Sequence, residues 1–220
     1  DVEMGRRIIP AAGDITDSEF SGKVQRGHGM ESVRTVIHAA ATVKHFGDYS
    51  SFDAVNVRGT QQVLCLAKNL GAKFVLISTV SVGGLVLNEK GSGNVLFDES
   101  SLYIGQNLDN VYLKSKFEAE CLVLDAVLKG QNCMICRVGN LTNRYTDAKF
   151  QRNYEENAFL RRMKTFVDLQ AYPSALALEQ VEFSPVDFTA EAVVRMAGCE
   201  GSTVFHVNNP KCITYGMLAD

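Results

Sequence analysis

The chain has 220 residues, 46% apolar and 21% charged, with a formal net charge of -3, which is the balance of a globular domain with a sizeable core. That charge offers no basic footprint for nucleic acid, and no block of like charge suggests an interaction tail. No apolar run reaches the eighteen residues or so of a membrane-crossing helix, and no signal-peptide pattern is present, so neither nucleic acid nor membrane is an expected partner.

In chain order, apolar runs at residues 7–12, 35–40, 74–78, 133–138 and 203–207 predict strands. They lack alternation, as in a parallel sheet covered on both faces. Between the second and third runs, Phe52, Val55, Gly59, Val63, Leu66 and Leu70 recur at helical steps before a stop at Gly71. Asp109 or Asn110 is placed to cap a second helix with Phe117, Cys121, Leu124 and Val127 on one stripe, and Thr189 to cap a third from 190 to about 197. The order strand, helix, strand, helix predicts an open α/β sheet.

Two stretches interrupt this rhythm. Residues 82–108 form a long Gly- and Asn-rich connection of the kind that borders a site. Residues 145–182, rich in aromatic and charged side chains, read as one or two helices outside the sheet. The expected division is therefore a sheet-bearing core over 1–144 and 182–208, and a substrate-side subdomain over 145–181 and 209–220.

Six cysteines lie mostly in apolar runs, where a free thiol acts as a small hydrophobe. Cys133 and Cys136 form the CxxC of NCMICRV, but strand alternation sends them to opposite faces. With no second ligand pair at zinc spacing, no metal is expected, and reduced thiols fit the cytoplasm.

Chemistry enters with VYLKSKFEAE, residues 111–120. Tyr112 and Lys116 lie four apart, on one helix face. A free phenol has a pKa near 10, so about one in a thousand is ionised at pH 7. Lowering it by about three units takes roughly 4 kcal/mol of preference for phenolate, part of which a nearby ammonium supplies in a partly desolvated site. Alone, such a spacing more often marks an aromatic packed on a lysine stem. Here it follows GDI at 13–15, VIHAAATV at 36–43, NVRGT around Asn56 and VLISTVSVGG at 75–84. An aspartate after a strand, as in GDI, can accept from an adenine amino group, and the small residues after His38 let a cofactor approach the backbone.

In this order the motifs resemble the extended short-chain dehydrogenase/reductase superfamily. The resemblance implies Thr79, with Ser81 as fallback and Ser78 less favoured, as the hydroxyl partner and Tyr112 as the acid. Lys116 would depress the tyrosine pKa and hold the nicotinamide ribose, and Asn56 would be the structural member of the tetrad. It implies a Rossmann-like doubly wound parallel sheet, with cofactor contacts from Asp14, Ile15, His38, Ala39, Ala40, Tyr112, Lys116, Val138 and Asn140. His38 itself reads as a core histidine whose backbone lines the cleft, and His206 likewise.

More narrowly, FDESSLYIGQNLDNVYLKSKFEAE, CRVGNLTNRYTDAKFQRNYEENAF, VEFSPVDFTAEAV and TVFHVNNP are similar to the terminal thioester reductase domains of nonribosomal peptide synthetases, relatives of carboxylic acid reductases. That resemblance implies NADPH-dependent release, as an aldehyde or onward as an alcohol, of an acyl or peptidyl thioester held on a phosphopantetheinylated carrier protein. A soluble acyl-CoA or sugar nucleotide as substrate, or a non-catalytic NADP(H)-binding module, are the alternatives. The family's glycine-rich turn and the strand selecting NADPH over NADH are expected before residue 1, so the chain is expected to be a piece of something larger. Arg137 and Arg144 are open between a cofactor or phosphopantetheine phosphate and pairing with Asp147.

Overall fold

A computed structural model describes residues 8–27, 30–44, 46–84, 96–152, 157–201 and 203–219. Parts of the 82–108 connection, of the 145–182 segment and of both expected domain ranges lie outside these residues.

Helix α1 (Phe20–Gly27) precedes β1 (Thr35–His38), and a helical segment follows as α2 (Tyr49–Phe52), a π-turn (Asp53–Arg58) and α3 (Gly59–Asn69). Then come β2 (Lys73–Thr79), α4 (Val111–Leu128), β3 (Cys133–Val138), β4 (Leu141–Thr142), α5 (Ala158–Leu169), β5 (Gln180–Glu182), β6 (Ser184–Pro185), α6 (Val186–Ala197), β7 (Val204–Val207), β8 (Cys212–Thr214) and α7 (Tyr215–Ala219).

The main sheet has the order β1-β2-β3-β7, with each pair parallel. Helices cover both faces, which is why its strands read as unbroken apolar runs. Phe74, Leu76, Cys133, Ile135 and Val204 pack with Val63, Ala67, Ala119 and Val123 of α3 and α4. Val75, Met134, Cys136, Val138 and Val207 face Val193 of α6 on the other side. The CxxC thiols thus lie on opposite faces of the sheet and cannot share a ligand. The sheet is Rossmann-like, as the sequence predicts. Small ladders β4–β6 and β5–β8 lie beyond it.

Three local expectations are corrected. Of residues 7–12, Arg7 lies outside the described residues, Ile8 makes an isolated bridge and 9–12 have no ladder. Apolar composition alone does not make a strand, and Ile9 is 68% exposed. The third helix begins a turn early, at Val186, because the Thr189 hydroxyl donates to the Pro185 carbonyl at 3.0 Å from inside the helix. On α4 the buried face is Ser115, Lys116, Ala119, Glu120, Val123 and Ala126; Phe117, Cys121, Leu124 and Val127 are only half-buried.

The predicted stop at Gly71 is present: its φ is +62°, and the Ala72 N–H returns to the Ala67 carbonyl at 2.9 Å. The π-turn was not predicted. Its Gly59 N–H closes on the Ala54 carbonyl, and the extra residue rotates Asn56 into the core, where it is 1% exposed.

Candidate active site

The parallel strands β2, β3 and β7 end in register, β1 ends opposite Leu76, and their carboxyl ends carry the chemistry-bearing residues, the usual location of a ligand in an open α/β sheet. Thr79 pairs in register with Val138, which pairs with Val207.

Helix α4 is docked against the end of β2. Asn110 caps it, its Oδ1 accepting from the N–H groups of Tyr112 at 3.0 Å and Leu113 at 3.1 Å. One turn on, buried Lys116 donates from Nζ to the Ile77 carbonyl at 2.6 Å. Burial pushes the Lys116 ammonium down to about 8, against the opposing charge of Glu120. Burial likewise pushes the Tyr112 phenol up to about 12, so it holds its proton at neutral pH. The ammonium that the resemblance sets beside the phenol donates here to the Ile77 carbonyl.

The three hydroxyls after Ile77 fall in different settings. Ser78 is buried and donates to Glu120 Oε1 at 2.5 Å. Thr79 is buried, and its Oγ1 accepts from the Ser81 N–H at 3.1 Å, which leaves its own proton for another acceptor. Ser81 is exposed. Buried Gln106 holds the following turn, donating to the carbonyls of Val82 at 3.1 Å and Leu102 at 2.9 Å. Gly84, at φ +50°, lies against the Asn107 carbonyl, where a side chain would be both strained and crowded.

Asn56 joins three segments. Its Oδ1 accepts from the Thr42 N–H at 2.7 Å, and its Nδ2 donates to the Thr42 carbonyl and the Ser115 hydroxyl, both at 2.9 Å. Ser115 in turn donates to the Tyr112 carbonyl at 2.8 Å. The Thr60 hydroxyl donates to the Asn56 carbonyl at 2.6 Å and lies 3.1 Å from His38 Nε2. Its single proton is spent on Asn56, so the His38 Nε2–H is the donor to Thr60. Burial, aided by Lys116, lowers the His38 pKa to about 4.

The remaining residues expected at the cofactor lie in several segments of the chain. Ala39 and Ala40, exposed after β1, leave the backbone open to a flat ligand. Asp14 is exposed and accepts from Thr16 N at 2.8 Å and Thr16 Oγ1 at 2.7 Å, bonds that lower its pKa. Ile15 is lodged where a Gly59 Cβ would meet it at 2.8 Å, so it braces α3. Val138 is buried, while the Asn140 N–H donates to Glu182 Oε1.

Arg137 is neither exposed nor paired with Asp147. Its Nη2 meets Glu120 Oε2 at 2.8 Å with both side chains fully buried. The rest of its guanidinium meets Glu120 Oε1, the carbonyls of Asp98 and Ser101, and His206 Nε2. It therefore has no donor left for a phosphate. Arg144 takes Asp147 instead, at 3.3 Å. Glu120, Ser115 and Glu182 were not singled out in the sequence. A charged residue on an amphipathic helix reads as solvent-facing, and the one available signal was the continuation of the four-residue step from Tyr112 through Lys116 to Glu120.

The fold and this edge define a nucleotide-binding core of Rossmann type, with a tyrosine and a lysine on the helix that covers the end of its second described strand. The chain belongs to the NAD-binding family described as Male sterility protein, whose pattern matches residues 1–193. It is 40% identical to the thiolation-reductase di-domain of an archaeal nonribosomal peptide synthetase, with a TM-score of 0.84 over 96% of this chain and 44% of that one. It is 29% identical over 89% of its length to glycine betaine reductase ATRR of Emericella nidulans. It is 26% identical over 99% of its length to a linear gramicidin synthase polypeptide of Brevibacillus parabrevis. The chain spans 15% of the first of these curated relatives and 4% of the second. The resemblance to synthetase reductase domains is thus borne out.

Proposed function

We propose that this chain carries the proton-handling core of a thioester reductase. It would release an acyl or peptidyl chain as an aldehyde from a carrier protein's phosphopantetheine arm, with NADPH as the nucleotide. The carrying observation is the docking of α4 on β2 through Lys116 and the Ile77 carbonyl. It sets the Tyr112 helix beside Thr79 at the carboxyl edge of the sheet, in a chain 40% identical to a thiolation-reductase di-domain.

The residues present fit a nicotinamide cofactor: small exposed side chains follow β1, and a buried ammonium lies near the edge. Ala39, Ala40, Val138 and Asn140 would line it, Asp14 and Ile15 its adenine end, and Lys116 its ribose. When bound, the cofactor supplies hydride to the thioester carbonyl. Thr79 and Tyr112 are then the donors for the oxygen on which negative charge grows, the kind of preorganised stabilisation that dominates such sites. The phenol gives up its proton as that charge develops; the thiohemiacetal then collapses to aldehyde and free thiol.

Asn56 keeps the Tyr112 turn in place through Ser115. The six described free cysteines fit a reducing, cytoplasmic setting, and among the described residues no helix is long and apolar enough to cross a membrane. The test is reduction of carrier-bound, CoA-bound and sugar-nucleotide substrates with NADPH and with NADH. Turnover confined to a soluble substrate would overturn the carrier assignment.

A further inference from the structure

We infer that Glu120 is a positioning residue of this site: its carboxylate fixes the end of β2 through Ser78 and sets a negative charge one helical turn from buried Lys116, favouring its ammonium form. Its role in turnover rests on the thioester reductase reading; its contacts with Ser78 and Arg137 stand on geometry alone.

Tyr112, Lys116 and Glu120 follow one another at four-residue steps along α4, so the carboxylate lies one turn below the ammonium on the same face. The two side chains grip consecutive residues of β2. Lys116 takes the Ile77 carbonyl at 2.6 Å, and Glu120 takes the Ser78 hydroxyl at 2.5 Å. The next residue is Thr79. Helix and strand are thus pinned at two adjacent points directly before the candidate hydroxyl.

Behind this pair, Arg137 of β3 holds the carboxylate from Nε and Nη2. A fully buried ion pair stabilises a fold little more than well-packed apolar side chains would, so stability alone is a weak reason for its place beside Lys116. The charged and titratable groups around the ammonium are Tyr112 and Glu120 on α4, His38 on β1, and Arg137 behind Glu120. Of these, Glu120 carries the negative charge, and it opposes the desolvation that lowers the lysine.

The experiment follows the titration of Lys116 in the full chain by NMR with carbon-13-labelled lysine, the signal being assigned with Lys116→Arg. It needs neither thioester nor nucleotide, so a failed reductase assay and a failed inference are told apart. Glu120→Gln is expected to lower the Lys116 midpoint by about one pH unit or more, a roughly tenfold change in its proton affinity. Glu120→Asp, which keeps the charge, is expected to stay near the unaltered protein. If Glu120→Gln leaves Arg137 uncompensated and the chain unfolds, the double variant Glu120→Gln with Arg137→Met is read in its place, with a smaller downward shift expected because the guanidinium charge is removed as well. A folded variant lacking the carboxylate whose Lys116 midpoint is unmoved overturns the inference.

Discussion

The Asn56 side-chain amide donates to the Ser115 hydroxyl at 2.9 Å, across the joint between the π-turn and α4. Both residues are buried, and the bond ties the loop after β1 to the turn that carries Tyr112. Ser115→Ala removes the acceptor and leaves a buried Asn56 hydrogen without a partner. We expect a loss of about 1–3 kcal/mol in stability, read as a lowered urea midpoint, together with slower turnover. An unchanged midpoint would show that the joint is held by other contacts.

Tyr112→Phe removes one hydroxyl and keeps the ring. A positioned acid contributes about 100- to 10,000-fold to rate, so kcat for thioester reduction should fall within that range while circular dichroism stays that of the unaltered protein. Near-normal turnover in the variant would refute the role given to the phenol.

His38 makes stability depend on pH. Its folded-state pKa lies near 4, below the ordinary 6.5, so between these values the unfolded chain takes up a proton that the folded chain refuses. Stability from this group is complete above about pH 6.5 and is lost as pH falls toward 4, with at most about 3 kcal/mol at stake. His38→Gln should flatten that part of the denaturation profile. Equal slopes in the two proteins would assign the acid sensitivity to the carboxylates.

Gly139 has no room for a side chain. A Cβ there would collide with Glu182 Oε1 and lie 2.8 Å from Asn208 Cβ, and Glu182 also accepts from the Ser184 hydroxyl at 2.7 Å. Gly139→Ala should therefore cost about 1–3 kcal/mol, as overpacking does, and displace Asn140. A melting temperature equal to that of the unaltered protein would show that Glu182 can move aside freely.

The sheet and its covering helices were legible because apolar runs and helical steps record burial directly. Boundaries set by a single side chain were less so. Thr189 can cap or bond within a helix, and its hydroxyl chose the second. The π-turn left no periodic trace, since one extra residue in a turn resembles ordinary irregularity. Arg137 and Glu120 lie far apart in sequence, and nothing in composition says that a charge at each is answered by the other. Tyr112, Lys116, Thr79 and Asn56 could be named from motif order, but the hydrogen bonds tying Asn56 to Ser115 and Lys116 to Ile77 are tertiary and have no sequence signature.

The separation of Cys133 and Cys136 onto opposite faces of the sheet has a practical use. Burial pushes both thiols up to about 11, so alkylating reagents should spare them while they modify exposed Cys65, Cys199 and Cys212. Modification of Cys133 would then report opening of the layer under α3 and α4, and modification of Cys136 opening of the layer under α6. The chain thus contains its own pair of probes for which side of the sheet yields first.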